Sequence, residues 1–225
     1  DSAAMVMHGF SDTVAATVDM LEYHVAAVAR AAKNKIIIAD MPFASFRKGK
    51  YEATEIATRF LRAGAQAIKL EALSGHEDVV EHLIGSGIPV MGHLGLTPQF
   101  VNIFGGMKVQ ARHDRAATQL VKDAKKLEDL GCFSIVLECV PSVLAKTVSI
   151  ELVIPTIGIG AGADTDGQIL VLQDVLGLNL DFKPKFLRRY AELEKVICGA
   201  LDNYVKDVKS INFPSESESY GETSK

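Results

Sequence analysis

The chain has 225 residues, 48% of them hydrophobic, and its 28 acidic and 24 basic side chains leave a net charge of −4. This length and composition predict one domain with a substantial core, and they exclude the basic excess that binding to nucleic-acid phosphates requires. No apolar run approaches the roughly 20 residues that span a bilayer, so we expect a soluble protein.

Helical and extended patterns alternate along the chain. Apolar residues at helical spacing predict helices at 18–32, 52–63, 77–84, 114–131, 142–148 and 184–206. Short apolar runs predict strands at 36–40, 66–71, 88–93, 133–138, 155–159 and 168–172. A long loop at 94–113 interrupts the alternation, and a tail at 211–225, rich in Ser and Glu, is expected to be disordered.

Six strands that alternate with helices predict an α/β fold with a parallel sheet. A doubly wound sheet suits six strands, but the glycine-rich fingerprint that normally follows its first strand is absent. Asp1-Ser2 looks like the end of a strand. We therefore predict a (β/α)8 TIM barrel over residues 1–210, N-terminally incomplete because it lacks its first strand and most of its second.

Ionisable side chains close several of the apolar runs. Asp40, Glu71, His93 and Glu138 each end a predicted strand, and Asp1 opens the chain. The carboxyl ends of parallel strands meet where binding sites form, which favours an acid-lined metal site. Each acid also has an alternative interpretation. Asp40 could cap a turn, Glu71 could be a charge at a helix start, and Asp1 could be a chance chain end.

Two further residue patterns suggest chemistry. Lys69 lies two residues before Glu71, so both side chains point to the same face, where the lysine needs an anionic partner: a substrate or a structural acid. Glu138 is the candidate general base, because a carboxylate among apolar residues can have a pKa suited to proton abstraction. It could instead orient another side chain. His93 is a second-tier candidate for contacting a substrate, or a structural residue.

The three cysteines, Cys132, Cys139 and Cys198, are odd in number and lack CxxC spacing. We expect buried thiols in a reducing compartment, which places the protein in the cytoplasm or, in a eukaryote, the mitochondrion.

A specific resemblance is carried by GHLGLTPQFVNIFGGMKVQ at 92–110, together with DS at the start and the segments ADMPF (39–43), KLE (69–71), LECVP (137–141) and IGIGAGADTDGQILVLQD (157–174). In this order and spacing, residues 1 to about 190 closely resemble the ketopantoate hydroxymethyltransferase family. The resemblance implies a barrel of the phosphoenolpyruvate/pyruvate type. It also implies transfer of a one-carbon unit from 5,10-methylenetetrahydrofolate to 3-methyl-2-oxobutanoate, the first committed step of pantothenate and coenzyme A synthesis.

The resemblance also implies roles for single residues. Asp1, Asp40 and Glu71 would surround Mg2+ or a similar divalent ion, which stabilises the enolate of the keto acid. Lys69 and the Ser2 hydroxyl would bind the substrate carboxylate, beside Asp1 and Asp40, and Glu138 would accept the proton. The resemblance further implies a homo-oligomer, expected to be a decamer, with the helix at 184–206 as a contact element.

The sequence departs from the family pattern in two places. Ala72-Leu73 replace glycines expected after Glu71, and the stretch His8–Asp12 lacks the proline expected after it. A related metal-enolate lyase of the same superfamily predicts a catalytic cysteine or a phosphonate-binding loop, and neither is evident. A non-catalytic barrel subunit is the other alternative, and loss of Asp40, Glu71 or Glu138 would favour it.

Overall fold

The computed structural model describes residues 1–221, which fall into two compact units. The first unit spans Asp1–Ile169 and the second begins at Leu170. The single domain predicted over 1–210 stays a prediction. None of the helices in this described part of the chain is both long and apolar enough to cross a membrane.

The first unit contains a six-stranded sheet and seven of the helices. Its strands are β1 (Ile38–Asp40), β2 (Ala67–Glu71), β3 (Val90–Gly95), β4 (Ser134–Glu138), β5 (Thr156–Ile159) and β6 (Gly167–Gln168). Its helices are α1 (Ala3–Val6), α2 (Val18–Ala31), α3 (Lys50–Arg62), α4 (Glu77–Gly85), α5 (Val101–Phe104), α6 (Asp114–Asp129) and α7 (Ser142–Glu151). The second unit contains α8 (Leu172–Val175) and α9 (Leu193–Lys209).

All neighbouring strands pair in parallel, and the strands lie in the sheet in the same order as in the chain. Each successive strand is therefore added at the same edge of the growing sheet. A doubly wound sheet would reverse this direction at a switch point, whereas a barrel does not. The predicted α/β class and barrel-type order are confirmed.

The longer helices of the first unit, α2, α3, α4, α6 and α7, each bury apolar residues. In α3 the buried residues are Ala53, Ile56, Ala57 and Phe60, at the helical spacing of apolar residues that predicts a helix over 52–63, and Gly64 follows the helix with φ +114°. Strands β2, β3 and β4 are buried along nearly their whole length, as expected of parallel strands covered on both faces. This packing fixes the strand ends that carry the ionisable residues.

Two predicted elements near the carboxyl end were wrong in their bounds. The strand predicted at 168–172 is only β6, because its apolar run continues into α8, and such short runs suit either element. The helix predicted from Pro184 begins at Leu193 instead. The preceding segment is held as a loop by Arg189, which donates hydrogen bonds to the carbonyls of residues 179, 180 and 182.

Other expectations had mixed outcomes. Cys132 and Cys139 are buried, but Cys198 is exposed, contrary to the prediction, because α9 has no buried residues. Ser2 has helical backbone angles at the start of α1, so a strand end at Asp1-Ser2 is not confirmed. The predicted tail contains a 3-10 turn at Glu216–Glu218, and residues 222–225 lie outside the described residues.

Candidate active site

The strand register brings the predicted site residues together. Asp40 on β1 pairs with Lys69 on β2, and Glu71 at the end of β2 pairs with His93 on β3. Glu138 ends β4 two positions beyond the residue that pairs with His93, so its side chain lies on the same face of the sheet. The expectation that these side chains share one edge of the sheet agrees with this register.

Asp40 lies beside a buried lysine. Lys69 Nζ is 2.6 Å from Asp40 Oδ1, and the main-chain nitrogen of Asp1 donates a hydrogen bond to Asp40 Oδ2 at 2.8 Å. Burial would raise the pKa of the Asp40 carboxyl, but Lys69 opposes this, and the pKa is held below its usual range. Asp40 is therefore a carboxylate beside Lys69.

Glu71 is the most enclosed acid of the site, with 1% of its side chain exposed. Its Oε2 accepts a hydrogen bond from the backbone N–H of Gln99 at 2.9 Å, and its Oε1 lies 3.6 Å from His93 Nδ1 and 3.9 Å from Lys69 Nζ. Burial raises the pKa of Glu71, although Lys69 and His93 oppose the rise. Burial also disfavours the charged form of Lys69, yet Asp40 and Glu71 raise its pKa overall.

His93 lies between Glu71 and Glu138. Its Nδ1 lies 3.3 Å from Lys69 Nζ, which can only donate, so Nδ1 is assigned as the acceptor and Nε2 carries the proton. That Nε2 lies 3.2 Å from Glu138 Oε2, close to it but not aligned as a hydrogen bond. His93, which the sequence ranks second, therefore has a central position between the two glutamates.

Two residues of this region carry no role in the sequence analysis. The Gln99 side-chain amide donates to Asp1 Oδ2 and to the Met41 carbonyl, each at 2.8 Å. Arg47 donates to the Glu71 carbonyl at 3.0 Å, and its guanidinium lies 4.8 Å from the ring centroids of two phenylalanines. Gln99 occurs within the 92–110 motif, but nothing in its spacing indicates that its amide reaches Asp1.

A sequentially ordered parallel sheet carries three carboxylates, a lysine and a histidine at or near the carboxyl ends of its strands, and Asp1 contacts Asp40 there. This arrangement defines a barrel-type α/β enzyme. A family model described as ketopantoate hydroxymethyltransferase matches residues 1–216. The chain belongs to this family and is a transferase.

Two curated relatives have similar sequences over most of their length. Both are called 3-methyl-2-oxobutanoate hydroxymethyltransferase. The protein from Francisella tularensis subsp. novicida is 49% identical over 220 residues, which cover 98% of this chain and 83% of the relative. The protein from Bdellovibrio bacteriovorus is 52% identical over 98% of this chain and 84% of the relative.

Solved structures with low sequence identity share the fold. A 2,3-dimethylmalate lyase of the PEP mutase/isocitrate lyase superfamily aligns with a TM-score of 0.55 at 16% identity, covering 92% of this chain and 83% of its own. A phosphonopyruvate hydrolase in complex with oxalate and Mg2+ aligns with a TM-score of 0.56 at 12% identity, covering 96% and 78%. These similarities support the architecture and carry no further argument about chemistry.

Proposed function

We propose that this chain transfers a hydroxymethyl group from 5,10-methylenetetrahydrofolate to 3-methyl-2-oxobutanoate, giving 2-dehydropantoate for pantothenate and coenzyme A synthesis. The observation that carries the proposal is the position of Glu138, at the end of β4 beside His93 and the ion-paired Lys69. The names of the curated relatives support the acceptor substrate.

Lys69 holds the carboxylate of the keto acid. Its ammonium group has three N–H donors, and among residues 1–221 only Asp40 and His93 lie within hydrogen-bond distance of it. One donor therefore remains for the substrate. The Ser2 hydroxyl makes no capping bond to α1, so it is free to contribute a second hydrogen bond, beside Asp1 and Asp40.

Glu138 accepts the proton from C3 of the keto acid. The electron pair of the broken C–H bond then forms the new carbon–carbon bond to the one-carbon unit of the folate. Both bonds from that carbon to the folate nitrogens break, water supplies the hydroxyl group, and tetrahydrofolate leaves with the protons on its nitrogens. The Nε2–H of His93 faces the Glu138 carboxylate, 3.2 Å from its Oε2. General bases placed in this way contribute typically 10²–10⁴-fold to a rate.

A divalent ion fits the chemistry of the site. Mg2+ prefers oxygen ligands, takes one or two protein carboxylates and keeps several waters. In the structure Asp40 Oδ1 already lies close to the ammonium group of Lys69. No group of three or more His, Cys, Asp or Glu within residues 1–221 is arranged as a ligand set, so water would complete the coordination by Asp1, Asp40 and Glu71. When bound, the ion withdraws electrons from the keto group.

The assembly is a homo-oligomer, proposed as a decamer, in the cytoplasm or, in a eukaryote, the mitochondrion. The exposed apolar residues of α9, which include Val196, Ile197, Leu201 and Tyr204, support a role for this helix in subunit contact. Analytical ultracentrifugation measures the state directly.

The experiment that tests the function is hydrogen–deuterium exchange at C3 of 3-methyl-2-oxobutanoate in D2O, followed by NMR with and without Mg2+. We expect metal-dependent exchange that falls by about 10²–10⁴-fold in Glu138→Gln. The matched control is Glu151→Gln, which alters an exposed glutamate on α7 paired with Lys125 and leaves exchange unchanged. No exchange in the unmodified protein would refute enolate formation, and unchanged exchange in Glu138→Gln would refute the choice of base.

A separate turnover assay tests the folate. Adding 5,10-methylenetetrahydrofolate should convert the exchanging keto acid to 2-dehydropantoate. Exchange without product would refute this donor and retain the proton-transfer half of the proposal.

A further inference from the structure

Gln99 is a buried amide that touches three of the segments that form the site. It lies in the 3-10 turn Pro98–Phe100 after β3 and is 2% exposed. Its backbone N–H donates to Glu71 Oε2 at 2.9 Å. Its side chain donates to Asp1 Oδ2 and to the carbonyl of Met41, the residue after Asp40, each at 2.8 Å.

The orientation of this amide is determined by its neighbours. Both groups that Nε2 contacts, a carboxylate oxygen and a backbone carbonyl, can only accept hydrogen bonds. Turning the amide over would place its own oxygen against two other oxygens. Nε2 must therefore face Asp1 and Met41, and Oε1 points elsewhere.

The oxygen of the amide is buried and has no hydrogen-bond partner among residues 1–221. Buried polar atoms in native proteins nearly always have a partner, either protein or ordered water. An unsatisfied oxygen on a side chain whose other end holds Asp1 is unexpected in a side chain that serves packing alone. This oxygen is therefore available to accept a hydrogen bond from a donor such as water.

We propose that Gln99 is a positioning residue that orients the carboxylates of Asp1 and Glu71 toward a divalent cation. The inference rests on the proposed function, since it concerns the same ion. The amide holds Asp1 through one oxygen, and the Met41 contact ties this arrangement to the end of β1. The backbone N–H holds Glu71 in the same way. Outer partners of this kind typically change metal affinity 10–100-fold when they are removed.

The test measures Mn2+ binding by electron paramagnetic resonance, in which the sharp signal of the free ion is lost on binding. Mn2+ accepts the same oxygen ligands as Mg2+. Gln99→Met keeps the length of the side chain but removes its amide, and Gln99→Leu is a second variant in case the first does not fold. We expect both to bind Mn2+ 10–100-fold more weakly, while raised Mg2+ restores their turnover.

The matched control is Gln66→Met. Gln66 also makes two hydrogen bonds to backbone, from Ile37 N–H at 2.7 Å and to the Gly64 carbonyl at 3.0 Å, but it lies at the opposite ends of β1 and β2. Its replacement should lower the unfolding temperature and leave Mn2+ affinity unchanged.

The outcomes separate the two proposals. Unchanged Mn2+ affinity in a folded Gln99 variant would overturn the role of Gln99 and leave the proposed function intact. An equal loss in Gln66→Met would also overturn it, because general destabilisation would then explain the effect. If the unmodified protein binds no Mn2+, the metal part of the proposed function fails, and this inference fails with it.

Discussion

Gly95→Ala should displace the candidate base without changing any ionisable residue. Gly95 ends β3 with φ +94°, and a Cβ built there lies 2.2 Å from the backbone oxygen of Glu138. A carbon and an oxygen normally approach no closer than about 3.3 Å, so one strand end must move by about 1 Å. A misplacement of this size can reduce turnover by about 10²-fold.

The stability effect of Gly95→Ala has two physical causes. A positive φ costs an L-residue about 1–2 kcal/mol, and overpacking against backbone adds about 1–3 kcal/mol. The matched control is Gly87→Ala after α4, where φ is +83° but no atom lies within 4 Å of the added Cβ. Gly87→Ala should therefore lose only the roughly 1–2 kcal/mol of unfolding free energy that the positive φ costs.

Urea unfolding and steady-state turnover measure the two effects. We expect Gly95→Ala to lose more unfolding free energy than Gly87→Ala and to lose turnover as well, whereas the control keeps its turnover. Equal losses in the two variants, in both measurements, would refute the close approach of β3 and β4 on which this reasoning depends.

Two further substitutions test the charges and the backbone of the site. Lys69→Met leaves Asp40 without its main partner and should cost about 3–5 kcal/mol of unfolding free energy at pH 7. Because the pKa of Asp40 is lowered on folding, its contribution is present above the unfolded value of about 3.9 and is lost as pH falls. The deficit should therefore shrink in urea titrations below about pH 4, and a deficit independent of pH would contradict the pairing. Ala72 has φ +61°, so Ala72→Gly should raise the unfolding free energy by up to about 1 kcal/mol. A lower unfolding midpoint would count against this strain.

The departure at Ala72 shows how sequence and structure complement each other. The family pattern predicts glycines at 72 and 73, and the structure gives a physical reason at 72, a left-handed backbone immediately after Glu71. The alanine keeps that conformation because its N–H donates to the His93 carbonyl at 3.0 Å. The glycine expected at position 72 therefore reflects the positive φ that the backbone adopts there.

The positions of the candidate site residues could be predicted where they depend on strand periodicity. Asp40, Lys69, Glu71 and Glu138 lie at or near the ends of apolar runs, and parallel strands place such ends at one edge. The order of the strands in the sheet, β1 to β6 without reversal, also follows from the alternation of helices and strands, once the doubly wound alternative is set aside.

The sequence by itself thus determined the α/β class, the stripe of α3 and the acids that end strands, because hydrophobic periodicity and strand alternation are local properties. Only the tertiary structure decided that His93 lies between Glu71 and Glu138, and that Gln99 reaches Asp1 across 98 positions of the chain. It also decided where α9 begins, since Arg189 holds the preceding loop through backbone carbonyls. These features depend on side chains that meet through folding, and no spacing in the sequence encodes such meetings.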